Sequence, residues 1–136
     1  MEQKWYTTRE QGIELVRKGA NPATADMCYE KVLKSLGLEW EWKEFMGKNP
    51  AVENNLFSYT HGFVSPCWSM GALLDMMPKH IEAEGKTYEL QIRPAEGNLV
   101  AYTDLEYGDY CYIKKDSLFD SVYDMVCWLI EGRIVK

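Results

Sequence analysis

Three glycine turns fall at short, even spacing in one stretch of the chain: Glu84-Gly85, Glu96-Gly97-Asn98 and Tyr107-Gly108-Asp109. Glycine enters the positive-φ conformations that tight turns need at no steric cost. The segments between these turns are too short to hold a crossover helix, so neighbouring strands must pair as antiparallel hairpins. The spacing predicts strands over 80–83, 86–93, 99–103 and 110–114. In 86–93, Tyr88, Leu90 and Ile92 alternate with Thr87, Glu89, Gln91 and Arg93, the period of two that marks a strand with one dry face and one wet face.

Helical signals flank this β region. Near the start, Thr7 and Thr8 each precede a capping-box partner by three residues, Glu10 and Gln11. Ile13, Leu15 and Val16 supply an apolar side, Arg17 and Lys18 suit the negative end of the helix, and Gly19 closes it. After the Asn21-Pro22 turn, Thr24 reads as an N-cap, and apolar residues at 25, 28, 29, 32, 33 and 36 follow a helical face. A second helix over 25–36 is the expectation. A third begins at Ser69, with Trp68 and Leu73 as its hydrophobic staple and Pro78 as its stop; Ser65 followed by Pro66 is the competing start. The last is the clearest. Asp116 or Ser117 caps it, Leu118, Val122, Met125, Val126 and Leu129 run at helical spacing, and Gly132 ends it.

Leu38, Trp40 and Trp42 alternate with glutamates, which suits a short strand or an aromatic clamp. Residues 46–66, rich in Gly, Asn and Pro, read as a loop with one short strand near 57–64 and as the place to look for a binding loop. Strands grouped between helices, without βαβ alternation, predict an α+β fold. The expectation is one domain over 1–136, with a small antiparallel sheet of about three to five strands, about four helices and a long amphipathic C-terminal helix.

With 136 residues, of which 46% are hydrophobic and 26% charged, the chain can bury a core of its own. No apolar run reaches the roughly 18 residues of a membrane span. MEQKWYTTREQ lacks the apolar stretch of a secretion signal, so a cytoplasmic protein is expected. Net charge is −6, mostly from residues after 68. The longest basic runs are the pairs Arg17-Lys18 and Lys114-Lys115, which argues against binding driven by phosphate neutralisation.

None of the compact catalytic or nucleotide-binding motifs occurs, and the chain has 2 histidines. The cysteines at 28, 67, 111 and 127 form no C-x-x-C pair. Cys28, Cys111 and Cys127 read as core residues. Cys67, just before or inside a helix start, is the candidate nucleophile, with His61 and His80 as its imidazole partners or, with Cys28, as zinc ligands. The competing reading packs Cys67 beside Trp68 and leaves both histidines in loops. Asp104, Glu106 and Asp109 surround a glycine turn but lack the EF-hand spacing, and they read as solvated acids. Trp40, Trp42, Tyr102, Tyr110 and Tyr112 are the candidate interface aromatics, with the three tyrosines lining one sheet face, because tyrosine and tryptophan are enriched where proteins meet.

Four stretches, EQGIELVRKGANPATADM (10–27), PCWSMGALLDMMP (66–78), GKTYELQI (85–92) and SVYDMVCWLIEG (121–132), together resemble a group of small uncharacterised proteins encoded by genomes, prophages and mobile elements of gut anaerobes. The most specific parts are Thr24–Met27, Pro66–Pro78 and Met125–Leu129. The resemblance implies a compact α+β domain, a cytoplasmic location and a mobile-element origin; it implies no catalytic residue or cofactor.

Residues and resemblance together lead to an accessory protein that binds another protein or itself, with a homodimer as the simplest assembly. The alternative is a small cysteine- or metal-dependent enzyme, or a metal-binding protein, centred on Cys67, His61 and His80.

Overall fold

A computed structural model describes residues 5–34, 39–46 and 64–132, with side chains for 5–30 and 65–132. The fold is α+β. Among the described residues it has three α-helices and two antiparallel sheets. None of these helices is long and apolar enough to cross a membrane. The chain forms two compact units, Trp5–Ala72 and Leu73 onward.

In the first unit, α1 (Arg9–Lys18) starts at Thr8, which forms the full capping box with Gln11, and ends at Gly19 in the left-handed region, φ 119°. Thr8 is therefore the cap of the two candidates, and Thr7 is left for other work. Strands β1 (Met27–Lys34), β2 (Glu39–Met46) and β3 (Val64–Cys67) form a three-stranded sheet in the order β2-β1-β3. Gly12 of α1 lies against the backbone of β3, and a Cβ there would overlap the Pro66 carbonyl oxygen.

The helix expected over 25–36 is a strand. Its physical reason lies in the centre of the sheet. β1 pairs on both sides, with Met27 opposite Met46 and Cys67, and Met27, Cys28 and Tyr29 are buried in succession. A strand buried on both faces loses the period of two and imitates a helical face over a few residues. The supposed cap, Thr24, ends a 3-10 turn, Pro22–Thr24, capped by Asn21, and Asp26 bonds to the cap residue of the next helix.

That helix is α2 (Met70–Met76). Its cap is Ser69, whose hydroxyl accepts from Ala72 N at 3.2 Å. Asp26 braces the cap: its carboxylate accepts from Ser69 N at 2.9 Å and from the Ser69 hydroxyl.

The second unit holds β4 (His80–Ala83), β5 (Lys86–Arg93), β6 (Leu99–Asp104) and β7 (Gly108–Lys114), in the order β4-β5-β6-β7. The turns contain Gly85, Gly97 and Gly108 at positive φ, as expected. Helix α3 (Leu118–Glu131), capped by Ser117, lies against β6 and β7. Three of the four expected helices are present, and the fourth is β1.

Candidate functional site

The register of the second sheet sorts its side chains onto two faces. Ile81 pairs with Tyr88, Leu90 with Tyr102, Ile92 with Val100, Tyr102 with Cys111 and Val100 with Ile113. These residues form the dry face. Tyr88, Val100 and Tyr102 are buried, and the Tyr102 hydroxyl donates to Pro78 O at 2.7 Å. A β-bulge between Tyr102 and Thr103 turns Tyr110 toward this side. Its ring lies 5.0 Å from Tyr88 and 6.2 Å from Trp128 of α3, geometries suited to aromatic pairing. Helix α3 therefore covers the dry face.

The opposite face carries Glu82, Thr87, Glu89, Gln91, Arg93, Thr103, Tyr112 and Lys114, each exposed or half-buried. Beneath them Ala101 sits in register between Gln91 and Tyr112, and Leu99 between Arg93 and Lys114; both are buried. Small or apolar residues on the central strand thus leave the polar ends of their neighbours in solvent. A groove of about 310 Å³ runs over this face between Thr87, Glu89, Gln91, Arg93, Thr103 and His80. The His80 imidazole is 3.5 Å from the Glu89 carboxylate. Arg93 reaches Glu96 at 3.3 Å. At one end Asp104 accepts from Glu106 N at 2.7 Å and Tyr107 N at 3.0 Å, so this carboxylate builds the turn. The turn presents Leu105 fully to solvent and Tyr107 at 57% exposure. The groove brings an imidazole, a carboxylate, an amide, a guanidinium and two hydroxyls into register. That set can hydrogen-bond a polar surface in several directions.

The first unit uses its polar groups differently. Thr7 is fully buried. Its backbone N–H donates to Trp68 O at 2.9 Å, and its hydroxyl accepts from Trp68 N at 3.0 Å. The Tyr29 hydroxyl donates to Thr7 O at 2.6 Å. The Trp68 indole donates to the Thr24 hydroxyl at 2.9 Å. These bonds hold buried polar atoms satisfied, as a core requires. Cys67 belongs to this cluster. It is fully buried, and its thiol lies 3.4 Å from Thr7 O.

The candidate residues distribute as follows. Cys67 closes β3 in the first unit and packs next to Trp68, two residues before the α2 cap. His80 opens β4 in the second unit, with its side chain 55% exposed. His61, named with them, lies outside the described residues, as do the side chains of Trp40 and Trp42. Their strand is present as β2 and extends to Met46. Among the described residues no group of three or more His, Cys, Asp or Glu side chains is arranged to hold a metal ion. Tyr102, Tyr110 and Tyr112 do not share a face. Tyr102 is core, and burial followed by the nearby Cys111 holds its phenol protonated above the usual range; Tyr112 points the opposite way and is 60% exposed. Burial followed by Glu30 pushes the Cys28 thiol up to about 11. Burial also raises Cys111. None of these shifts creates the thiolate that nucleophilic chemistry needs.

Sequence reasoning separated Thr87, Glu89, Gln91 and Arg93 from the apolar residues of their strand but did not read them as a site. The signal was present in the polar half of the period-two pattern, reinforced by Thr103 across the turn. No protein-family model, curated protein or solved structure matches this chain.

Proposed function

We propose that this chain is a small interaction protein that binds a partner protein through the polar face of its four-stranded sheet. One observation carries the reading: α3 covers one face of the sheet, while the other presents a register of polar side chains around an open groove, with Leu105 and Tyr107 projecting at its rim. Polar groups with a few exposed apolar anchors are the usual make-up of a non-obligate interface. We set the protein in the cytoplasm, which suits its four free thiols. The resemblance to prophage and mobile-element proteins adds an accessory role in that setting. The sealed thiol of Cys67 favours packing over the cysteine-centred alternative.

The test is a photo-crosslinking amino acid in place of Gln91, compared with the same group in place of Glu10 on α1. An adduct of defined mass from position 91, absent from position 10 and lost with Arg93→Glu, is the expected result. Equal adducts from both positions, or none from 91, would overturn the reading.

A further inference from the structure

The open face of the four-stranded sheet is sorted by charge along its strands. The register sets His80, Glu89, Thr103 and Asp109 in one row across β4, β5, β6 and β7. The next row on this face holds Gln91, Ala101 and Tyr112, and the one after it Arg93, Leu99 and Lys114. Two carboxylates therefore occupy one end and two cations the other, with a neutral row between them. Glu82, paired with Thr87 beyond Glu89, extends the acidic end. The groove follows this gradient. It is lined by Thr87, Glu89, Gln91 and Arg93 of β5, with His80 on one flank and Thr103 on the other. A strand covers about 20 Å from Thr87 to Arg93, so a volume of about 310 Å³ leaves a channel only a few ångströms wide. An α-helix with its side chains is about 10–12 Å across and does not enter it; an extended segment does.

We infer, resting on the proposed function of this face, that the groove takes an extended segment of the partner protein with one basic and one acidic side chain four residues apart. The basic side chain lies over Glu89 and the acidic one over Arg93. Residues four apart in an extended chain share a face and are separated by about 13 Å. Glu89 and Arg93 have that same spacing on β5, so both contacts form without bending the segment. The Arg93 guanidinium also reaches Glu96, but it has five N–H donors and the pair is exposed, so a second carboxylate is accommodated. Between the two charges the Gln91 amide offers donors and an acceptor to the segment's backbone, and Ala101 beside it keeps the floor of the face low. A uniformly basic segment is repelled at Arg93 and Lys114, and a uniformly acidic one at Glu89 and Asp109. Matched charge order of this kind selects a partner and fixes its register more than it adds affinity.

The test follows amide shifts of the full chain in NMR titrations with short, end-capped, threonine-rich peptides. One peptide has lysine and glutamate four positions apart, one has lysine at both of those positions, and one has lysine and glutamate two positions apart. The chain's net charge of −6 by itself favours the doubly basic peptide, so general attraction and the sorted face predict opposite orders. The mixed peptide with the longer spacing is expected to bind roughly three- to tenfold tighter than either control, with shifts centred on Glu89–Arg93 and a gap that narrows in salt. Arg93→Glu should invert the preference toward the doubly basic peptide, and adding Glu89→Lys should restore it. Equal or tighter binding of either control overturns the inference, as does a preference that survives Arg93→Glu. If no peptide shifts the groove while the Gln91 photo-adduct forms, the charge order is wrong and the binding role of the face stands; if the adduct is absent as well, that role falls with it.

Discussion

The two sheets are stabilised by different means. In the three-stranded sheet, α1 reaches β3 through buried polar groups: Thr7 exchanges backbone and side-chain bonds with Trp68, Tyr29 bonds to Thr7, and Trp68 bonds to Thr24. Its closest approach, Gly12 against Pro66, excludes even a methyl group. In the four-stranded sheet the dry face is apolar and aromatic under α3, and charged pairs are kept on the surface, as with Arg93 and Glu96. Buried bonds such as those of Thr7 with Trp68 fix one arrangement, because removing either partner strands a donor or acceptor away from water. Surface pairs impose no such constraint, so the second sheet is free to vary its open face without losing its fold. That freedom suits a binding surface.

Substitutions can break this contrast or sharpen it. Trp68→Ala empties a fully buried site and removes the indole bond to Thr24, so denaturant unfolding should show a loss of about 3–5 kcal/mol. Thr7→Val keeps the shape of the side chain but strands Trp68 N; a loss of about 1–3 kcal/mol is expected, and a neutral result would remove the polar cluster from the account. Gly12→Ala should cost about 1–3 kcal/mol through overpacking, although alanine gains about 1 kcal/mol in a helix interior. Gly71→Ala meets only Ser69 Oγ at 3.7 Å and should stabilise by about 0.4–1 kcal/mol; like signs for the two glycines would contradict the close approach at Pro66.

The Cys28 thiol gives a pH test of the first sheet. Its proton is held more tightly in the fold, at about 11 against an ordinary 9.0. Between those values the unfolded chain binds fewer protons, so this contribution to stability is whole below about 9 and is lost by about 11. Cys28→Ala should flatten the alkaline fall in unfolding midpoint. Arg93→Ala should have the smallest effect, within about 1 kcal/mol and vanishing in salt, as for exposed ion pairs. A larger loss would make the open face structural.

The sequence was most informative where one face of an element meets water. Thr87, Glu89, Gln91 and Arg93 announced both the strand and its wet side, and α3 and the α1 cap were legible from Ser117 and Thr8. β1 was not, because Met27, Cys28 and Tyr29 are buried in succession and erase the alternation. Thr24 read as a helix cap but closes a 3-10 turn, and Asp26 accepts from Ser69, 43 residues away; local pattern holds no trace of such a pairing. The tyrosines failed for a related reason: a bulge re-aims Tyr110, and only the register separates Tyr102 from Tyr112.

The central claim is that one face of the four-stranded sheet is given to the core and the other is kept for binding. Hydroxyl-radical footprinting of the chain tests it at three tyrosines, of which Tyr102 and Tyr112 hold neighbouring register positions. Rapid oxidation of Tyr112 and Tyr107, with Tyr102 protected, is the result expected from the fold. Comparable oxidation of Tyr102 and Tyr112, or protection of Tyr112, would contradict it.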